Sequence, residues 1–195
     1  MNSFLSNGGE MFRKFILLIT FVLLTFINSS LAGVKAGSIN LGRNIARGDG
    51  SEYWDNGFSL GGNVFWSMNP HLLYGFRMAY SSRNYNKFSG NINIFEVVPS
   101  VRIVSTSKDA LNIFGHFGLG YHRRQFGAQQ TLYSGYWSAS DTRNSLGFSL
   151  GGGLLIGKSN KICLEIFPLF SFLAHNNQFF NNYFTINIGI FSRGK

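Results

Sequence analysis

Charge is scarce in this chain of 195 residues: only 13% of it is Asp, Glu, Lys or Arg. An ordinary soluble domain carries roughly 25%, so a wholly water-exposed surface is poorly supplied here. Proline is also rare, at three residues, so the 24 glycines do not belong to a Pro/Gly-rich disordered chain. Cys163 is the one cysteine, which excludes an intrachain disulfide. A single Cys and four scattered His show no metal-ligand spacing, and no metal or other cofactor is expected. Hydrophobic residues, by contrast, make up 45% and aromatics 16%, with 21 Phe. The formal net charge is +9. Its Lys and Arg are scattered rather than striped along a helix, so no nucleic-acid partner is expected.

Long hydrophobic runs are missing with one exception. Met11-Phe12-Arg13-Lys14 is a basic start, Phe15 to Ile27 is an uncharged and almost wholly apolar run, and Asn28-Ser29-Ser30-Leu31-Ala32 brings small residues. That order is the signature of a secretory signal peptide. The run is too short for a spanning helix, which needs about 20 apolar residues. Val34 stands where a lipidated Cys would be needed, so no lipid anchor is expected. We therefore expect a signal peptide over 1–32, cleaved after Ala32, and one domain over 33–195. Residues 1–10 precede a complete signal peptide, and Gly8-Gly9-Glu10 resembles a translated ribosome-binding site, which favours Met11 as the start.

After residue 33 the chain alternates. Phe58, Leu60, Gly62, Val64, Trp66 and Met68 share one parity, against Ser59, Gly61, Asn63, Phe65 and Ser67. Leu72, Tyr74, Phe76, Met78 and Tyr80 oppose Gly75, Arg77, Ala79 and Ser81. Leu111, Ile113, Phe117, Leu119 and Tyr121 oppose Asn112, Phe114, His116, Gly118, Gly120 and His122. A period of two marks strands with unlike faces. The pattern predicts eight strands, at about 37–46, 57–68, 71–82, 91–105, 110–123, 143–157, 160–174 and 183–192. Most exceed the usual 5–6 residues and match the 9–11 of a tilted transmembrane strand.

The connections alternate too. Met68-Asn69-Pro70, Thr106-Ser107-Lys108-Asp109 and Lys158-Ser159-Asn160 are tight turns, and longer polar links lie between them at about 47–56, 83–90, 124–142 and 175–182. Short turns on one side and long loops on the other are the plan of an outer-membrane barrel. In lipid every backbone polar group must be paired, so a spanning sheet has to close. The expected fold is all-β: an eight-stranded antiparallel up-and-down transmembrane β-barrel, with apolar parity towards lipid and small or polar parity in a filled lumen. A soluble calycin-type barrel would reverse those faces. Tyr53, Trp54, Trp66, Tyr74, Tyr80, Tyr121 and Tyr183 fall near strand ends, where an aromatic girdle belongs. Pro99 and Pro168 lie inside strands of an edgeless sheet, and we expect bulges there that shift the facing of later residues.

One motif competes with this reading. Gly152 to Ser159, with Gly157-Lys158-Ser159 at its end, matches G-x-x-x-x-G-K-[ST]. A phosphate-binding loop must open a helix. Here Ile162, Leu164 and Ile166 continue at period two, so the segment reads as a strand end plus a turn, and no nucleotide is expected.

Asn69-Pro70-His71-Leu72-Leu73-Tyr74-Gly75-Phe76, Phe114-Gly115-His116-Phe117-Gly118-Leu119-Gly120-Tyr121 and Leu146-Gly147-Phe148-Ser149-Leu150-Gly151-Gly152-Gly153 follow one another in order. Over most of residues 33–195 the chain resembles the small, porin-like eight-stranded outer-membrane barrels related to the transmembrane domain of the OmpA-like proteins. The resemblance implies a bacterial outer-membrane location, outer-membrane lipid as surroundings and the barrel-assembly machinery as a partner in biogenesis. Members often end on a lipid-facing aromatic, read as an assembly signal. Here Phe191 falls on the lumen parity and Ser-Arg-Gly-Lys follows it.

Two sets of residues are candidate sites. Arg77, Glu96, Arg102, His116 and Glu165 lie on the lumen parity, and charges at membrane depth must face inward and pair. They predict a buried network that plugs the lumen, with a gated ion path or a catalytic pair as the functional alternative. Arg83, Lys87, Arg123, Arg124 and Arg143 are expected near the outer rim, where they either hold lipopolysaccharide phosphates or are simply solvated. Some small barrels are lipid A hydrolases; lipid A deacylases place a nucleophilic Ser two residues after a His. His175 is followed at that distance by Asn177, with no Ser before Ser192. The expectation is a non-enzymatic envelope or surface-interaction protein, with a narrow passive pore and a lipid A-modifying enzyme as alternatives.

Overall fold

The computed structural model describes residues 35–47, 55–84, 88–105, 110–127, 129–131, 137–138, 141–157, 162–175, 178–179 and 182–193. Among them every regular element is a strand: β1 (Ala36–Arg47), β2 (Gly57–Ser67), β3 (Leu72–Asn84), β4 (Phe88–Ser89), β5 (Asn91–Val104), β6 (Leu111–Phe126), β7 (Gln129–Thr131), β8 (Trp137–Ser138), β9 (Asp141–Ile156), β10 (Ile162–His175), β11 (Gln178–Phe179) and β12 (Asn182–Arg193). The signal-peptide segment, Tyr53, Trp54, Lys87 and the turns 106–109 and 158–160 lie outside the described residues.

Each long strand pairs antiparallel with the next, β1-β2-β3-β5-β6-β9-β10-β12, and β12 pairs back onto β1. The sheet is therefore a closed eight-stranded up-and-down barrel. β4, β7 and β8 form a small separate sheet, and β11 extends the end of β10. Closure has a measurable stagger. Stepping rung by rung from Ala36 leads through Phe65, Gly75, Ser100, Gly118, Ser149, Ser171 and Tyr183 to Ala46, ten residues further along β1. For eight strands that shear tilts them by roughly 40° from the axis. From Phe65 to Tyr183 every residue on this path is buried, so one helical turn of the path follows the inner wall.

The outer wall is apolar around the whole circumference. Leu41, Phe58, Phe76, Val101, Phe117, Leu150, Phe170 and Ile188, one from each long strand, are all exposed. A continuous apolar belt of this extent is far beyond what a water-soluble monomer displays. Aromatics border it at both ends. At the short-turn end Trp66 stacks on Tyr74 at 6.0 Å and meets Phe76 edge-on at 6.2 Å. At the long-loop end Tyr80 faces Phe95, Phe148 stacks on Phe172 at 4.6 Å, and Phe170 lies 4.5 Å from Phe184. Tyr183 departs from the expected girdle: it is buried in the lumen, because its parity is opposite to that of Phe184.

The expected bulges are absent. Burial alternates without interruption from Asn91 to Val104 and from Ile162 to Leu173, straight through Pro99 and Pro168. The register is the same on both sides of each proline. What each costs is two rungs of one ladder: Val98 and Pro99 have no partner rung in β6, and Phe167 and Pro168 have none in β9. On their other sides Pro99 pairs with Phe76 and Pro168 with Ile186. A residue of an antiparallel pair directs its N–H to one neighbour only. The missing donor therefore weakens one ladder locally, and no facing is shifted.

Candidate functional site

Inward positions carry the chain's unusual chemistry. Arg77, Glu96, Arg102, His116 and Glu165 are all buried in the lumen, each at most 2% exposed. They are at different depths because their strands are staggered.

The deeper group sits near the short turns. Arg102 of β5 donates from Nη2 to Glu165 Oε1 of β10 at 2.9 Å, across the lumen rather than along the sheet. Four phenylalanine rings surround its guanidinium: Phe114 at 4.2 Å, Phe65 at 4.7 Å, Phe167 at 5.5 Å and Phe191 at 5.6 Å from their centres. These rings belong to an apolar cluster with Leu73, Val104, Leu155, Cys163 and Leu169 that fills this end of the barrel. The planar cation stacks on ring faces while one carboxylate neutralises it. His116 lies directly opposite Arg102 in the β5–β6 ladder and packs on Phe167 at 6.1 Å. It makes no hydrogen bond to a carboxylate among the described residues.

The second group lies nearer the long loops. Arg77 of β3 donates to Glu96 Oε1 at 3.3 Å. The other oxygen, Oε2, accepts from the Tyr183 hydroxyl at 2.9 Å and lies 3.5 Å from His122 Nδ1. Glu96 thus ties β3 and β12 to β5, with His122 of β6 beside it. Phe167 stands between the two groups, 5.9 Å from the Arg77 guanidinium. Around the β1 side the lumen is lined by short amides and hydroxyls: Asn63 and Asn40 both donate to Ser38 Oγ, at 2.8 and 3.2 Å, and Thr185 donates to Asn44.

The expected rim arginines divide. Arg123 is exposed on the outer wall and Arg143 is exposed at the end of β9. Arg83 and Arg124 are at the loop end as expected but turn inward, 5% and 1% exposed. The correction has a simple cause: β3 and β6 continue to Asn84 and Phe126, beyond the expected ends at 82 and 123. Arg83 then shares the parity of Arg77, and Arg124 that of His116 and His122. The signal that would have found Arg83 and Arg124 is the same alternation carried to the last residue of each strand, and His122 and Tyr183 already lie on inward positions of the expected strands.

No protein-family model and no curated protein matches this chain by sequence. Solved structures match by shape. Neisserial surface protein A superposes with a TM-score of 0.62 at 12% identity, over 81% of this chain and 96% of that one. A major outer membrane protein from Thermus thermophilus gives 0.50 at 11% identity, over 80% and 99%. The outer membrane enzyme PagL gives 0.47 at 14% identity, over 80% and 98%. The fold is that of the small outer-membrane β-barrels.

Proposed function

We propose that this chain is an exported, non-enzymatic barrel of the bacterial outer membrane, released from its signal peptide after Ala32, that anchors itself in lipid and presents its long loops at the surface. The single observation that carries the reading is the division of chemistry between the walls. The outside carries exposed apolar residues on every long strand, while the inside buries two Arg–Glu pairs amid phenylalanine. Charges facing inward and a lipid-facing apolar wall are what a bilayer demands. The Phe cluster around Arg102 packs the turn end of the lumen with side chains, which favours an anchor over a conduit. Basic residues on the outer wall at the loop end, Arg43, Arg47 and Arg123, stand where they would meet lipopolysaccharide phosphates. His175 with Asn177, in place of a His and Ser pair, favours a non-enzyme.

Planar-bilayer recording tests the reading. Purified, refolded protein should insert without steady conductance steps. A stable ohmic conductance at low voltage would replace the plugged anchor with the narrow pore.

A further inference from the structure

Among the described residues, the loop-side mouth of the lumen holds two buried cations, Arg83 and Arg124, that hydrogen-bond to no carboxylate there. Arg83 and Arg124 are both more than nine-tenths buried. On each, Nε and Nη2 have no hydrogen-bond partner among the described residues. The Arg83 stem passes over Gly57, where an added Cβ would lie 2.5 Å from its Cγ, and its guanidinium stacks on the Tyr183 ring at 4.8 Å. Arg124 lies directly opposite Arg143 in the β6–β9 ladder, and both approach the Phe126 ring, at 6.0 and 5.2 Å. Like charges directly opposite each other destabilise a sheet. Ser145, the next inward residue of β9, is buried with its hydroxyl unpartnered among the described residues. Ile92, directly opposite Arg83, and Ile94, directly opposite Arg124, stand between the two arginines and pack with Leu173 and Tyr183. Of the carboxylates buried in the lumen among the described residues, Glu96 already accepts from Arg77 and Tyr183, and Glu165 from Arg102.

A buried cation needs a counter-ion. We propose that this mouth is an oxyanion site, with Arg83 and Arg124 as forked donors and Ser145 as a third, taking a phosphate or sulfate group. The donors stand on β3, β6 and β9, along one arc of the sheet, and the forked guanidinium donors match the oxygens of a phosphate or sulfate group. The apolar side chains between the two arginines lower the local polarity and strengthen each contact.

Calorimetric titration of inorganic phosphate and sulfate into the refolded barrel, in zwitterionic detergent at constant ionic strength, tests this. Saturable binding is expected, weakened at least tenfold by Arg83→Gln with Arg124→Gln. Should that pair fail to fold, Arg83→Lys with Arg124→Lys keeps the charge and loses the forks, and should weaken binding as well. No saturable binding, or equal binding by the folded variants, overturns the site. So does binding that appears only after Asp49, Glu52 and Asp141 are neutralised to Asn, Gln and Asn, because the chain's own carboxylates would then be the counter-ion. Repeating the titration in nanodiscs with and without lipid A identifies the source. Competition by lipid A assigns the site to a lipid phosphate, and undiminished binding assigns it to a soluble one.

Discussion

The Arg102 guanidinium has four aromatic rings within 5.6 Å and one carboxylate oxygen at 2.9 Å. Its worth follows from what happens when one partner goes. Removing the cation leaves Glu165 charged among phenylalanines, and breaking a buried pair typically costs about 3–5 kcal/mol. Arg102→Gln should therefore lower the urea unfolding free energy in vesicles by about that amount. Replacing both, Arg102→Met with Glu165→Leu, should recover most of the loss, since apolar substitutes for a buried pair are often neutral. An unchanged midpoint for Arg102→Gln would show that the pair bears no load. At this scale much of the site was legible from parity alone: five inward residues were expected, and all five are inward. The choice of partners was not. Residues 96 and 183, or 102 and 165, meet only because the barrel curls far strands together across the lumen.

At the scale of the element, β9 and β10 show why glycine is concentrated where the motif reading placed a phosphate loop. A Cβ on Gly153 would lie 2.2 Å from the Ile166 carbonyl oxygen and 2.4 Å from Phe167 Cβ; on Gly151 it would lie 2.4 Å from the Pro168 oxygen. The two strands approach closely just where Phe167 and Pro168 interrupt the ladder. Gly157, at φ +137°, ends the strand in a conformation few other residues adopt. Gly153→Val should destabilise the barrel by about 1–3 kcal/mol or more and reduce the heat-modifiable folded band on gels. Gly115→Ala is the control: nothing lies within 4 Å of its Cβ, and a change within about 0.5 kcal/mol is expected. Equal loss in both would refute the close-approach account. Strand number and order were readable in advance because alternation is a local signal. The prolines misled because a one-strand reading cannot say which neighbour each backbone N–H faces.

For the whole molecule the governing quantity is the solvent of the outer wall. Leu150 is exposed in the middle of the apolar face of β9, between Leu146 and Leu154, with Phe117 and Phe170 opposite it in the ladders. An arginine at the midplane of a barrel costs about 2–4 kcal/mol when the wall faces lipid. Leu150→Arg should cost that much in phospholipid vesicles. No penalty there would mean the belt does not face hydrocarbon.

What the sequence by itself determined is the alternation, eight strands and their succession, the short-turn and long-loop ends, and the inward set of charges. These depend on contacts between residues near in the chain and on the period of two. Only the tertiary structure decided the shear of ten residues, the unshifted register at the prolines, the cage around Arg102 and the inward turn of Arg83 and Arg124. Each depends on which strand lies opposite which, and at what height, and that is settled when β12 closes on β1.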